Sequence, residues 1–369
     1  MSGTGTAPRT AFVPGAGRTD TSAGPRRTGT EWMDFARVAG MVAVVVAHVF
    51  APAIRFDVED RSSPAWWAAM TISAFSRFCV PLFLAISGAL LLAPRAGLPP
   101  AEFYRRRLHR IGIPLAVWVA FYLALREFTA GDDLGGEGVA REVIGGGVYY
   151  HLYFLFVLAG LYALTPFVRL IVLYASERML VAFVVVLLAI GALDQAAVVL
   201  FESGSGNAAT RFLPYLGYFV GGLLVCRLPL TRRLVRLGAL ALGGGVALTT
   251  VGGWALSVSM GPEYVEYALL PLSPSVIVTA FGATVLLRAL PRHLPRLTSS
   301  RTVARLSALS FGVYLAHPAV LTQLRERYPF PTDLPGMLGL GVALLVATLA
   351  ASMAITAVGR LVPGLRRAF

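Results

Sequence analysis

The stretch WMDFARVAGMVAVVVAHVF, residues 32–50, is apolar and long enough to cross a membrane, yet it contains Asp34, Arg37 and His48. At about 100° per residue, the steps from Arg37 to His48 make about three turns, so both side chains lie on one stripe of a helix, about 16 Å apart along its axis. Asp34 lies on the same stripe. An ionisable group at the centre of a span costs roughly 3 kcal/mol and normally faces a partner or a cavity. We interpret the stripe as a candidate active site; the alternative is an interfacial ion pair with a buried structural histidine.

The composition is typical of a polytopic membrane protein. The 369-residue chain is 56% hydrophobic and only 14% charged, with a mean hydropathy of +0.70. These values exclude an ordinary soluble domain. We predict an all-α fold with about ten transmembrane helices, of which the third and sixth are shorter than ideal. The predicted spans are residues 33–53, 71–92, 111–125, 150–173, 180–200, 212–226, 237–257, 268–287, 306–323 and 337–358.

The charge distribution predicts the orientation. The chain has a net charge of +13, and its permanent positive charges are all arginines, because it has no lysine. If the N-terminus is cytoplasmic, 22 of the 32 arginines fall in cytoplasmic tails and loops, whereas 13 of the 19 acids lie outside. This asymmetry predicts that both termini are cytoplasmic, and it explains the basic clusters without a nucleic-acid partner.

We therefore expect a multi-pass protein of the plasma membrane with three regions. These are a disordered basic cytoplasmic tail over residues 1–31, a transmembrane domain over residues 32–360 and a short cytoplasmic tail over residues 361–369. Cys79 and Cys226 fall in separate spans at different depths, so they are predicted to pack rather than to form a disulfide.

The sequence lacks the common motifs of soluble enzymes. It contains no Walker loop, GxGxxG, HExxH, GxSxG or CxxC motif, and none of the five histidines has an aspartate five positions later. No metal site is expected. Any catalytic site must therefore be assembled from several helices.

Arg77 and Ser87 are candidates in the second span. Pro81 leaves the carbonyl of Arg77 without its helical partner, which predicts a kink. Ser87 and Gly88 allow close approach of a ligand or of another helix, and ordinary helix packing is an equally good interpretation.

A dense basic run, FYRRRLHRIGIP, precedes the third span. On a helix Arg110 shares a face with Arg106 and Arg107, and guanidinium groups on one face can bind phosphates with paired hydrogen bonds. The alternative is that these arginines anchor the chain at the membrane surface or contact lipid headgroups.

Histidines also occur at the start of the fourth span and within the ninth. His151 opens HLYFLFVLAGLYALTP, whereas SFGVYLAHP places Tyr314 and His317 on one helical face before Pro318. Given the predicted orientation, His48, His151 and His317 lie in the middle to outer part of the membrane. A solvated interfacial histidine is the alternative for His151.

Together these segments resemble the integral membrane acyltransferase-3 family, especially its members that O-acetylate surface polysaccharides. The matching features occur in the family's order from Asp34 to Pro318. They are Asp34-x-x-Arg37 with ten residues before His48, Arg77 ahead of VPLFLAISG, Phe103-x-x-Arg106-Arg107-x-x-Arg110, HLYFLFVLAGLYALTP and SFGVYLAHP. Two features differ, because Tyr153 stands where the family more often has tryptophan and no fused esterase-like domain is present.

The resemblance implies a ten-helix fold, an acyl-CoA donor such as acetyl-CoA and an extracytoplasmic acceptor hydroxyl on a glycan or lipid-linked saccharide. It also implies functional roles for Arg37, His48, Arg107 and Arg110.

Our hypothesis places the donor phosphates on Arg106, Arg107 and Arg110 and runs the donor arm past Ser87, with Arg77 among the donor-binding residues. Arg37, held by Asp34, then contacts the donor, and His48 acts as general base or acyl carrier. The hypothesis adds His151, Tyr314 and His317 as residues that orient the acceptor or stabilise the oxyanion. A transporter or flippase of polysaccharide intermediates is the alternative, since it would also need intramembrane charges and broken helices.

Overall fold

The computed structural model describes residues 31–93, 99–130, 135–202 and 207–369, and every regular element in these ranges is helical. The predicted tail over residues 1–31 lies outside the described residues except for its last position. The α-helices are α1 (Glu31–Pro52), α2 (Pro64–Ser76), α3 (Cys79–Leu91), α4 (Pro100–Arg107), α5 (Ile113–Ala130), α6 (Gly135–Gly145), α7 (Tyr153–Tyr174), α8 (Glu177–Leu200), α9 (Leu216–Arg227), α10 (Arg232–Ser259), α11 (Val265–Leu269), α12 (Pro274–Ala289), α13 (Pro295–Thr298), α14 (Arg301–Arg327) and α15 (Leu334–Leu361).

The prediction of an all-helical polytopic membrane protein is confirmed, with eight helical segments in the described ranges long and apolar enough to cross a membrane. They are Trp32–Asp57, Pro64–Leu91, Pro100–Thr129, Tyr153–Tyr174, Glu177–Leu200, Arg232–Ser259, Pro262–Arg292 and Leu334–Leu361. The other two predicted spans differ from these. Helix α9 is apolar but has only 12 residues, and the 27-residue α14 is long enough but more polar.

Helix α14 can carry polar side chains within its length because they face protein rather than lipid. Ser307, Ser310 and His317 are all buried. Helix α1 packs against α14 and is central, since 56% of its most apolar window is buried, compared with 17% in α8. The outer face of α8 carries exposed apolar side chains suited to lipid contact, including Val181, Val185, Ile190 and Leu193.

The second span is broken where the sequence predicts a kink. Helix α2 ends at Ser76 and α3 begins at Cys79, so Arg77 lies at the break. Further along α3, Gly88 packs directly on the backbone of α9, because a Cβ there would lie 1.7 Å from the carbonyl oxygen of Phe219. Gly88 is therefore a helix-packing residue.

The third span enters through an irregular turn. Between α4 and α5, residues Leu108–Gly112 form a π-helical turn, in which the N–H of Ile113 bonds to the carbonyl oxygen of Leu108. Such a turn adds a residue and changes which side chains share a face. A second π-helical turn, Ala53–Asp57, continues α1.

Candidate active site

Two cavities lie along the same four helices. The larger, about 960 Å³, is lined by His48, His151 and Arg77 and is here called the histidine cavity. The smaller, about 550 Å³, is here called the arginine cavity; it is lined by Arg37, Arg110, Arg360, Arg366 and Arg367. Helices α1, α3, α7 and α14 contribute side chains to both cavities, and Phe154 and Tyr314 line both.

The stripe on α1 is divided between the two cavities. Asp34 and Arg37 line the arginine cavity, whereas His48 lines the histidine cavity. Since α1 is continuous from Glu31 to Pro52, Arg37 and His48 are about 16 Å apart along its axis. The stripe therefore connects the two cavities.

His48 belongs to a cluster of histidines from three helical regions. Its ring centroid lies 5.4 Å from that of His317 and 4.7 Å from that of Tyr150. The His151 ring lies 5.7 Å from His317. His151 and His317 are buried, and His48 is partly exposed towards the histidine cavity. His48 is thus the member of the cluster best placed to meet a ligand there.

Pro318 determines how His317 is held. Proline has no N–H, so the carbonyl oxygen of Tyr314 has no helical donor four residues on. The Nδ1 of His317 lies 2.8 Å from that oxygen and 3.2 Å from the carbonyl oxygen of Val313. Carbonyl oxygens only accept, so in the neutral ring the proton lies on Nδ1. The Nε2 of His317 then carries a lone pair and is buried without a hydrogen-bond partner in the described structure.

Tyr314 holds the backbone of His151. Its hydroxyl donates a hydrogen bond to the carbonyl oxygen of His151, and the two rings are 5.2 Å apart. Both ring nitrogens of His151 are buried without a hydrogen-bond partner among the described residues. The hydroxyl proton of Tyr314 is therefore already engaged.

The charges of the histidine cavity are partly paired. Arg55 forms an ion pair with Glu266, and Arg325 pairs with Asp57 at 2.5 Å. Arg77 lines the same cavity from the α2–α3 break, and its Nε is buried without a hydrogen-bond partner in the described part of the chain. Arg77 and His48 thus line the same cavity, whereas Ser87 lines the arginine cavity.

Asp34 positions Arg37 in the arginine cavity. The Nη1 of Arg37 lies 2.7 Å from Oδ1 of Asp34, and Ser307 donates a hydrogen bond of 2.8 Å to the same oxygen. Ser307 is on α14, so this contact also joins α14 to α1. Asp34 is the one acidic side chain among the described residues that line this cavity.

The three arginines of the basic run that were predicted to bind phosphates, Arg106, Arg107 and Arg110, are separated. Arg110 and His109 line the arginine cavity from the π-helical turn. Arg106 pairs with Glu102, and the guanidinium carbon of Arg107 lies 5.4 Å and 5.6 Å from the ring centroids of Phe103 and Tyr162. Of the three, only Arg110 is among the described residues lining either cavity.

Sequence reasoning missed Arg360, Arg366 and Arg367, which follow or end α15 and line the arginine cavity. In the sequence, these arginines indicated only that the C-terminal tail is cytoplasmic. The described residues contain no group of three or more His, Cys, Asp or Glu side chains that could hold a metal ion. Cys79 and Cys226 are both free.

Comparison with known proteins gives one family. Neither a curated protein nor a solved structure matches the chain. The family described as acyltransferase domain, Acyl_transf_3, matches residues 30–357. The match includes the described lining residues of both cavities except Arg360 at the end of α15 and Arg366, Arg367 and Phe369 after it. A membrane acyltransferase needs an acyl donor and an acceptor, and this chain of membrane-spanning helices belongs to the acyltransferase-3 family.

Proposed function

We propose that this membrane acyltransferase is an O-acetyltransferase that moves an acetyl group from cytoplasmic acetyl-CoA to a hydroxyl of an extracytoplasmic or lipid-linked glycan. The observation that carries the proposal is the pair of adjoining cavities, one rich in arginine and one containing His48, with Phe154 and Tyr314 in the walls of both. A phosphate-bearing donor and an uncharged hydroxyl acceptor need these two different environments.

The arginine cavity suits the donor. Arg37 and Arg110 supply guanidinium groups, which bind phosphates through paired hydrogen bonds. The donor arm would pass Ser87 towards Phe154 and Tyr314, which line both cavities. This cavity lies at the ends of helices that the positive-inside rule assigns to the cytoplasm, where acyl-CoA is available. Arg107, stacked on Phe103 and Tyr162, supports the wall from which Arg110 projects.

The histidine cavity suits the reaction. In one route His48 takes the proton of the acceptor hydroxyl, the oxygen attacks the thioester carbonyl, and the carbon–sulfur bond breaks as the proton passes to the leaving thiolate. In the other route His48 attacks the thioester itself, the thiolate leaves, and the acceptor oxygen then takes the acyl group from the imidazole. The second route needs another base, for which Nε2 of His317 is a candidate, since the two rings are 5.4 Å apart.

Arg77 and His151 would act on the reacting groups. Arg77, whose Nε has no hydrogen-bond partner in the described structure, lines the cavity that contains His48, where negative charge would develop on the thioester oxygen. His151 would bind the acceptor hydroxyl, because both of its ring nitrogens are unpartnered in the described structure. Tyr314 acts through His151 as a positioning residue.

The test is acetyl transfer by purified protein from radiolabelled acetyl-CoA to candidate glycans, with His48→Ala as the inactive variant. We expect a loss of about 10²- to 10⁴-fold on replacing His48, the range for removal of a general base. An inserted His48→Ala protein with near-normal product formation would contradict the proposal. Transport of a glycan without consumption of acetyl-CoA would favour the transporter alternative.

A further inference from the structure

We propose that residues 362–369, which follow α15, form part of the donor site, and that Arg366 and Arg367 bind phosphate groups of a CoA-type ligand. The identity of the ligand rests on the proposed function.

The segment is docked on the helical bundle by its last residues. The Nε1 of Trp118 donates a 2.9 Å hydrogen bond to the carbonyl oxygen of Ala368, and both residues are buried. The ring of Phe369 packs edge-on against Trp118, with 5.4 Å between centroids. Gly359 makes room for this ring, because a Cβ there would lie 2.4 Å from Cε2 of Phe369. These contacts hold the preceding turn in place.

The docked turn adds charge to the arginine cavity. The 3₁₀ turn Leu365–Arg367 places Arg366 and Arg367 in its lining beside Arg37 and Arg110. Among the described residues, the guanidinium groups of Arg366 and Arg367 have no hydrogen bond or ion pair, although the backbone N–H of Arg366 bonds to the carbonyl oxygen of Val362. The carboxylate of Asp34 is already bound to Arg37 and Ser307. The guanidinium groups therefore exceed the carboxylates, which is the condition for binding a multiply charged anion.

A phosphate ligand has two chemical sources, a soluble phosphate ester and a phospholipid headgroup. The position of the arginines favours the soluble ester. They share one cavity with Ser87 and Tyr314, and Tyr314 also lines the histidine cavity. A ligand bound by phosphates at one end can thus extend towards His48.

The test measures binding of CoA, dephospho-CoA and pantetheine to the full chain in nanodiscs, with and without phosphatidylglycerol. The Arg366→Gln/Arg367→Gln double variant is compared with Arg178→Gln, an exposed arginine outside both cavities. We expect the double variant to raise the CoA dissociation constant about 10-fold or more, to leave pantetheine binding unchanged and to leave the Arg178 control at the wild-type value. Trp118→Phe, which loses the indole donor, should weaken CoA binding in the same direction while both arginines remain.

The outcomes are distinguishable. Unchanged CoA affinity in a double variant with the wild-type melting temperature would overturn this inference while leaving acetyl transfer by the wild type intact. An equal loss of pantetheine binding, or a loss of phosphatidylglycerol binding instead of CoA binding, would also overturn it. A wild-type protein that neither binds CoA nor transfers acetyl groups would overturn the proposed function together with the inference. Arg366→Lys/Arg367→Lys should restore part of the affinity, because it keeps the charge but not the paired geometry.

Discussion

The rings of Phe154 and Tyr314 stand 5.4 Å apart, inclined at 71°, and both line the arginine and histidine cavities. Phe154 comes from α7 and Tyr314 from α14. The partition between the cavities thus includes two aromatic side chains from different helices. Under the proposed function, an acyl group that travels from one cavity to the other would pass beside them.

The size of the side chain at position 154 should determine which acyl chain length the enzyme prefers in its donor. Phe154→Ala should increase the use of propionyl- and butyryl-CoA relative to acetyl-CoA by about tenfold, since one or two methylenes in a pocket are worth roughly 1–3 kcal/mol. Phe154→Trp should lower kcat for every donor. Phe167, exposed on the same helix, provides the matched controls Phe167→Ala and Phe167→Trp. An unchanged chain-length preference in Phe154→Ala would place the acyl path elsewhere.

Release of CoA without acceptor should separate the two routes through His48. If His48 carries the acyl group, rapid mixing with acetyl-CoA alone should release about one CoA per protein and leave label on the protein. If His48 is a general base, no burst should occur until the acceptor is added. His48→Gln should abolish a burst of the first kind. A burst that survives this substitution would assign the acyl carrier to another residue.

Asp34 should act through Arg37. Removing the carboxylate with Asp34→Ala should raise the donor KM about 10-fold or more, because a hydrogen bond to a charged group contributes about 1.5–3 kcal/mol. Ser307→Ala leaves the ion pair in place and should have a smaller effect of the same kind. The exposed ion pair of Glu137 and Arg141 provides the control Glu137→Ala, which should leave the donor KM unchanged. An acceptor-specific defect in Asp34→Ala would contradict this role.

Gly88 should be needed for folding rather than for catalysis. Gly88→Ala places a Cβ against the backbone of Phe219 and should lower the free energy of unfolding by about 1–3 kcal/mol. Gly243 on α10 is the control, because a Cβ there meets nothing within 4 Å. Gly243→Ala should be neutral or stabilising by about 0.5–1 kcal/mol. Thermal unfolding in detergent compares the two variants; equal melting temperatures would rule out the packing role.

Local sequence signals predicted the helices well, because span length, hydropathy and proline position are properties of neighbouring residues. The break at Arg77 is an example, since Pro81 alone predicts it. The lower apolarity of one predicted span has a physical reason as well: the central part of α14 is apolar enough to be predicted as a span, but its buried serines and histidine, with the charged residues at its ends, make the whole helix more polar.

Local sequence signals could not predict that Arg107 and Arg110 point in different directions from one helix. A regular helix would keep Arg107 and Arg110 on one face, but the π-helical turn changes the register between them. The docking of Phe369 depends on Trp118, which is distant in sequence, as well as on Gly359 at the end of α15. The assembly of the histidine cluster likewise depends on the packing of α14 against α1.

The four helices shared by the two cavities offer a physical route for thermodynamic linkage between a donor and an acceptor bound there. Any shift of α1, α3, α7 or α14 that accompanies filling of the arginine cavity also displaces side chains of the histidine cavity. Linkage then requires reciprocity: whatever factor a bound donor applies to the affinity for acceptor, the acceptor applies to the affinity for donor. Under the proposed function, such linkage would let the enzyme respond to the supply of donor and acceptor together, through helices that belong to neither site alone.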